Sequence, residues 1–232
     1  MMNGRENLCL ALDCADEAEA LRWVERSRSV FGVYKIGLEL FCAEGPTLLR
    51  RVRAAGADRI FLDLKLHDIP RTVERAIMRL GGLGADYITI HSSGGPAMLQ
   101  AAARASERSG LLPLAVTVLT SLNEADLSAV GVQSLAVETV LQRARLCIDS
   151  GIRGLVSSPR EVARLRDSLG AEAFLVTPGI RLASSEMGDQ KRVSGPEEAL
   201  KSGADLLVVG RAVTAADDPE AAMAAFAAAV SS

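Results

Sequence analysis

The chain has 232 residues, 49% of them hydrophobic, which suits one compact domain with a sizeable core and excludes a disordered chain. Aromatics make up 3%, so that core has to be built from Leu, Val, Ile and Ala. A formal net charge of −3 with no basic stripe argues against nucleic acid as a partner, while a few local cations remain enough to hold a small anion.

Eight short apolar runs follow one another, at 8–13, 33–37, 59–66, 87–92, 112–120, 154–158, 174–180 and 206–210. Each is strand-sized, rich in branched residues and apolar on both faces, as strands covered on both sides of a parallel sheet are. Helical spacing fills the intervals. Leu48, Leu49, Val52 and Ala55 form one such stripe, and Val137, Val140, Leu141, Ala144, Cys147 and Ile148 another. Trp23 falls in the first helix and is expected in the core, and the Ala-rich stretch 220–230 reads as a surface helix. Pro46, Pro70, Pro96, Pro159, Pro196 and Pro219 sit at first turns. A glycine just before the next strand recurs in "AAGADRI", "GLGADYI", "DSGIRG" and "KSGADLL", where a left-handed helix end is expected. Eight strand–helix units in one domain, 1–232, predict an α/β fold of the (β/α)8 barrel type. The rival open, doubly wound sheet calls for a glycine-rich turn after its first strand, and "LALDCADEAEA" has none there.

The apolar run that ends at Asp13 is too short for a signal-peptide core, and no run approaches the ~20 residues that cross a membrane. Cys9, Cys14, Cys42 and Cys147 form no CxxC pair and accompany no His cluster. They are expected to be reduced and in or near the core of a cytoplasmic protein. Nothing has metal-ligand spacing, so no metal site is expected, and no Ser–His–acid set is visible.

Active sites of such barrels lie at the C-terminal ends of the strands. The third strand, within "FLDLKLHDIPRT", carries the most chemistry. Asp63 and Lys65 are two apart and so share the strand face, with Phe61, that looks into the barrel. Buried charge is costly unless partnered. Lys35 from the second strand offers another cation and Asp68 another carboxylate, and the four balance to zero. A structural ion-pair network is the plain alternative. His67 is read as orienting the loop, and His91, at the end of the fourth strand, as lining the site or capping a loop without taking part in catalysis. Separately, "TPGIR", with Pro178 and Arg181, and "VVGRAVT", with Gly210 and Arg211, offer arginines and backbone N–H groups suited to a phosphate. The polar stretch 181–194 is a candidate lid.

These segments together resemble the orotidine 5′-monophosphate decarboxylase family. "FLDLKLHDIPRT" is similar to its D-x-K-x-x-D-I-P-x-T signature. "LALD" at Asp13, "YKIGLELF" at Lys35, "TIHSSGG", "VTVLTS" at Thr120, "TPGIR", "GDQKR" at Gln190 and "VVGRAVT" match in type and order. The similarity spans the whole chain. It departs at Arg71, where the family more often has Asn. The resemblance implies cofactor-free conversion of orotidine 5′-monophosphate to UMP, with Lys65 as the acid that protonates C6 and Lys35, Asp63 and Asp68 completing a charged tetrad. It implies that Asp13 and Lys35 hold the ribose, that Thr120, beside Ser121, contacts the base, and that Gln190 bridges base and phosphate. Arg181, Gly210 and Arg211 belong to the phosphate side, with Ile69 and Pro178 completing the substrate-binding set. It also implies a homodimer in which Asp68 and Thr72 cross the interface. Mg2+-dependent sugar-phosphate decarboxylases and aldolases of the same suprafamily share D-x-K-x-x-D, but they typically have a carboxylate where Lys35 stands and lack the Ile69–Pro70–x–Thr72 continuation. A catalytically silent phosphate-binding barrel is the other alternative.

Overall fold

The structure, a computed structural model, describes residues 4–182 and 194–230. Eight parallel strands close into a barrel in sequence order: β1 Leu8–Leu12, β2 Val33–Gly37, β3 Arg59–Leu66, β4 Tyr87–His91, β5 Leu112–Val116, β6 Gly154–Val156, β7 Phe174–Pro178 and β8 Leu206–Val209. The expected (β/α)8 barrel is therefore the observed fold. Around it lie α1 Glu17–Ser27, α2 Leu38–Glu44, α3 Thr47–Ala54, α4 Pro70–Gly81, α5 Gly95–Ser109, α6 Glu124–Ala129, α7 Ala136–Asp149, α8 Pro159–Leu169, α9 Pro196–Lys201, α10 Arg211–Thr214 and α11 Pro219–Ala229.

The strands are apolar on both faces because they serve two cores. Outward residues such as Leu10, Ile36, Leu62 and Ile88 pack against the helices. Inward residues such as Cys9, Val33, Phe61, Leu114 and Leu206 fill the barrel as a separate cluster. Three of the eight aromatics, Phe61, Tyr87 and Phe174, meet inside the barrel. Phe61 meets the Tyr87 ring edge-on at 6.2 Å, Tyr87 stacks on Phe174 at 5.9 Å, and Arg59 Nη1 donates to the Tyr87 hydroxyl. Losing Phe61 there should cost about 3–5 kcal/mol, as for other buried aromatics.

The apolar runs extend past the ladders. β5 stops at Val116, not at 120, and β7 at Pro178, not at 180. Val118 and Ile180 are apolar for another reason: they are buried along the mouth of the barrel. The glycines expected before strands do adopt positive φ, as at Gly84 (86°) and Gly203 (104°). Trp23 is partly buried against the outer core, with the Arg26 guanidinium 5.2 Å above its ring. The cysteines are free. Cys9, Cys14 and Cys147 are buried, but Cys42 is exposed, against expectation, because α2 buries little besides Leu40. Among the described residues, no helix is long and apolar enough to cross a membrane.

Candidate active site

At the C-terminal end of the barrel, four side chains from three strands alternate in sign. Asp13 stands just past β1, Lys35 lies on β2, and Asp63 and Lys65 lie on β3. Lys35 Nζ is 3.1 Å from Asp13 Oδ1 and 3.6 Å from Asp63 Oδ2, and Lys65 Nζ donates to Asp63 Oδ1 at 2.8 Å. The middle of this chain is closed in and its ends are open. Side-chain exposure is 12% for Lys35 and 16% for Asp63, but 60% for Asp13. Burial alone would discharge both inner groups. For Lys35, burial pushes the pKa down, but Asp63 and Asp13 outweigh it and the pKa is raised. For Asp63, burial pushes the pKa up, but Lys35 and Lys65 outweigh it and the pKa is lowered. Both therefore keep their charge at neutral pH.

Lys65 reaches this position by an irregular backbone, not by simple strand alternation. The β3–β4 register pairs Leu62 with Ile88 and then Leu66 with Ile90, so three residues of β3 face Thr89 alone. Lys65 has φ 49°, the only positive value of a non-glycine among the described residues. Left-handed backbone costs an L-residue about 1–2 kcal/mol. Hydrogen bonds at the bulge offset that cost: Lys65 N–H donates to Thr89 Oγ1 at 2.8 Å, and Thr89 Oγ1 donates to Asp63 Oδ1 at 2.9 Å. Strain held by its surroundings at a charged residue in a cleft is a signature of a functional site.

The charged chain forms one wall of a cavity of about 240 Å³. Val116, Val156 and Val176 form an apolar wall, and Thr120, Pro178, Arg181, Gly210 and Arg211 line the remaining side. Ile180 bridges Ser194 and Arg181 N–H donates to the Ser194 carbonyl, which brings both ends of 181–194 to the rim. Two glycines give the charges room: a Cβ at Gly37 would lie 3.4 Å from Lys35 Nζ, and one at Gly210 would lie 3.6 Å from Asp13 Oδ2.

Of the residues singled out from sequence, Asp13, Lys35, Asp63, Lys65, Thr120, Pro178, Arg181, Gly210 and Arg211 converge on this cavity. Asp68, Ile69 and Thr72 do not. They are exposed around the start of α4, Asp68 accepts the Ile69 N–H, and Ile69 is 67% exposed. Within this chain the second carboxylate of the alternating set is thus Asp13 and not Asp68, because Asp68 lies beyond the end of β3. Gln190 lies outside the described residues, as does most of the proposed lid. His67 and His91 have ring centroids 5.3 Å apart, and neither lines the cavity. Burial, then His67 and Lys65, hold the His91 pKa below its usual value, so it is neutral at pH 7. Thr89 was not anticipated, since a lone Thr inside an apolar strand reads as packing; its place opposite the bulge is visible only in three dimensions.

Comparison with known proteins agrees with this fold and places the chain in a family. Residues 6–226 match the model of the orotidine 5′-phosphate decarboxylase / HUMPS family. An orotidine 5′-phosphate decarboxylase of Frankia casuarinae is 45% identical, covering 98% of this chain and 89% of its own length. One from Thermobifida fusca is 46% identical, covering 95% and 94%. Among solved structures, orotidine 5′-phosphate decarboxylase from Lactobacillus acidophilus superposes with a TM-score of 0.85 at 32% identity, over 98% of this chain and all of that one.

Proposed function

The chain belongs to the orotidine 5′-phosphate decarboxylase / HUMPS family, and from that premise we propose that it converts orotidine 5′-monophosphate to UMP without a cofactor, with Lys65 as the proton donor. The observation that carries this reading is the alternating Asp13–Lys35–Asp63–Lys65 chain on one wall of the cavity. A divalent cation would need converging carboxylate oxygens. Here Lys35 Nζ stands between Asp13 and Asp63, which favours cofactor-free chemistry over the Mg2+-dependent relatives.

Loss of CO2 leaves an electron pair on C6 that the pyrimidine ring delocalises poorly. The Lys65 ammonium stabilises that charge as it forms and then donates a proton to C6. At ~4 Å and an effective dielectric of ~20, such a contact contributes roughly 4 kcal/mol before desolvation. Enzymes commonly lower barriers by ~8–23 kcal/mol, so this is a part of the whole. Asp63 both orients Lys65 and crowds the departing carboxylate, and phosphate binding at Arg181, Gly210 and Arg211 supplies remote binding energy to oppose that repulsion. Asp13 and Lys35 hold the ribose, Thr120 the base, and Gln190 the bridge between base and phosphate. The exposed turn bearing Asp68, Ile69 and Thr72 supports a homodimer in which it completes the partner's site.

The test mixes purified protein with orotidine 5′-monophosphate in EDTA and follows the ultraviolet change on conversion to UMP. Turnover in EDTA that is lost in Lys65→Ala supports the reading. Turnover of a sugar phosphate only when Mg2+ is restored overturns it. Mixing the inactive variants Lys65→Ala and Asp68→Asn tests the dimer: shared sites recover up to about a quarter of native activity, whereas sites confined to one chain recover none.

A further inference from the structure

We infer that Thr89 is a positioning residue for the decarboxylation proposed above, its single hydroxyl holding Lys65 and Asp63 in their working arrangement. Thr89 is 1% exposed and stands alone opposite the three bulged residues Asp63, Leu64 and Lys65. The direction of its hydrogen bonds is determined. The Lys65 backbone has only an N–H to offer, so Oγ1 accepts there, at 2.8 Å. The hydroxyl proton is then left for Asp63 Oδ1, at 2.9 Å, and the same oxygen accepts from Lys65 Nζ at 2.8 Å. The result is a closed ring: Lys65 N–H to Thr89, Thr89 to Asp63, and the Lys65 ammonium to Asp63.

This ring ties three things to one atom. It supplies a partner for a backbone N–H at the bulge. It holds Lys65 at φ 49°. It also fixes which oxygen Asp63 turns toward Lys65 and leaves Oδ2 toward Lys35, 3.6 Å away. Without the hydroxyl the bulge is free to relax toward a regular strand, which would swing the ammonium away from its place on the cavity wall. A displacement of about 1 Å at a reacting group is enough to slow chemistry on the order of 100-fold. Thr89 also lines the cavity, as Val116 and Val156 do, so a change in its shape is a separate effect that the experiment has to remove.

The experiment compares Thr89→Val, which keeps the shape and removes the hydroxyl, with Thr89→Ser, which keeps the hydroxyl and removes the methyl. Thr89→Ala is a second variant without the hydroxyl and adds no atom to the core, in case Val fails to fold. Each is measured for kcat, KM, the pH dependence of kcat, and UMP binding by calorimetry. The inference expects kcat to fall on the order of 10- to 100-fold in Val and Ala, with KM and UMP affinity nearly unchanged, and Ser to recover most of the loss. It also expects the acid limb of the kcat profile to move to higher pH in Val and Ala, since Asp63 loses a hydrogen bond to its charged form, and to stay in place in Ser. Val and Ala with near-native kcat would overturn the inference, and so would Ser falling as far as Val. Native protein that fails to decarboxylate orotidine 5′-monophosphate would remove the underlying reading, and this one with it; that outcome is read from the native rate, not from the ratios between variants.

Discussion

The two ends of the barrel both set carboxylates beside cations, with different partners and to different effect. At the N-terminal end, Asp86 and Asp205 occupy equivalent places, each just before its strand and two residues after a glycine with positive φ. Asp86 Oδ2 accepts from Ile60 N–H and from Arg53 Nη2, both at 2.7 Å. Asp205 Oδ2 accepts from Leu175 N–H and from Arg166 Nη2, again both at 2.7 Å. Each staple ties a strand to its neighbour and to the helix that precedes that neighbour. The arginines use further N–H groups on carbonyls, Arg53 on Asp58 and Gly84, Arg166 on Gly170, Ala173 and Gly203. In the charged chain at the C-terminal end the cations are lysines, one ammonium is shared by two carboxylates, and the backbone is strained. A rigid guanidinium fork satisfied within the chain holds strands in register; a compact ammonium on a flexible stem facing a cavity is left to act on a ligand. On the proposed reading, stability and chemistry are thus separated along the barrel axis.

That separation can be broken most sharply at Lys65. Lys65→Ala should cut turnover by at least about 10³-fold, by loss of the group proposed to stabilise the developing charge. Lys65→Gly should be as inactive and yet more stable than Lys65→Ala by about 1 kcal/mol, because glycine adopts positive φ without strain. Both variants remove the same ammonium, so the difference between their urea midpoints isolates the backbone. Equal midpoints would show that the catalytic end stores no strain there.

The converse change belongs at the other end. Asp205→Asn or Asp86→Asn weakens two charge-assisted hydrogen bonds at once and should cost about 1–3 kcal/mol in urea unfolding. Since neither residue lines the cavity, kcat/KM at 25 °C should stay within about twofold of native. A larger loss of activity than of stability would mean that the ends are coupled.

A third prediction concerns pH. Asp63 has a lowered pKa in the folded protein, so its contribution to stability is present above the unfolded carboxylate pKa and is lost as pH falls through the folded one. Lys35 has a raised pKa, so its contribution is present below the unfolded lysine pKa and is lost as pH rises through the folded one. The charged chain is therefore intact across the neutral range and fails at both extremes. Lys35→Met removes the largest charge that holds Asp63 down, and the Asp63 carboxyl should then titrate at higher pH in a carbon-13 NMR titration. Overlaid native and variant titrations would show the pair to be uncoupled.

The contrast between the ends also marks where the sequence was legible. The eight strands could be read because both of their faces are buried, and two-sided apolar runs are hard to mistake. The helix ends could be read because proline and glycine act locally. Asp63 and Lys65 were found through an alternation rule that holds for a regular strand, whereas the structure reaches the same result through a bulge. Thr89 was missed because its role depends on a register shift between two strands, which no local pattern encodes. Asp68 is legible as a second carboxylate, but not in which subunit's site it acts; within this chain it lies past the end of β3, and Asp13 comes to hand through the β1–β2 pairing. The aspartates of "GLGADYI" and "KSGADLL" were in view as a repeated motif, but their staples depend on neighbouring strands and could not be seen in it.

The smallest expected effect tests how closely the cavity is fitted between these regions. A Cβ at Gly210 would meet Ala11 Cβ and Asp13 Oδ2 at 3.6 Å, ordinary contact distances. Gly210→Ala should therefore meet no steric clash and still fold, as substitutions without overpacking do. The added methyl faces Asp13 at the edge of the cavity, between the ribose and phosphate sides of the proposed ligand pose. It should raise KM by several-fold, roughly 1 kcal/mol of lost binding, and leave kcat nearly unchanged, since no atom of the Lys35–Asp63–Lys65 set moves. A fall in kcat at constant KM would place the glycine's influence in the chemical step, which would mean that the Asp13 end of the charged chain takes part in catalysis and does more than anchor the ligand.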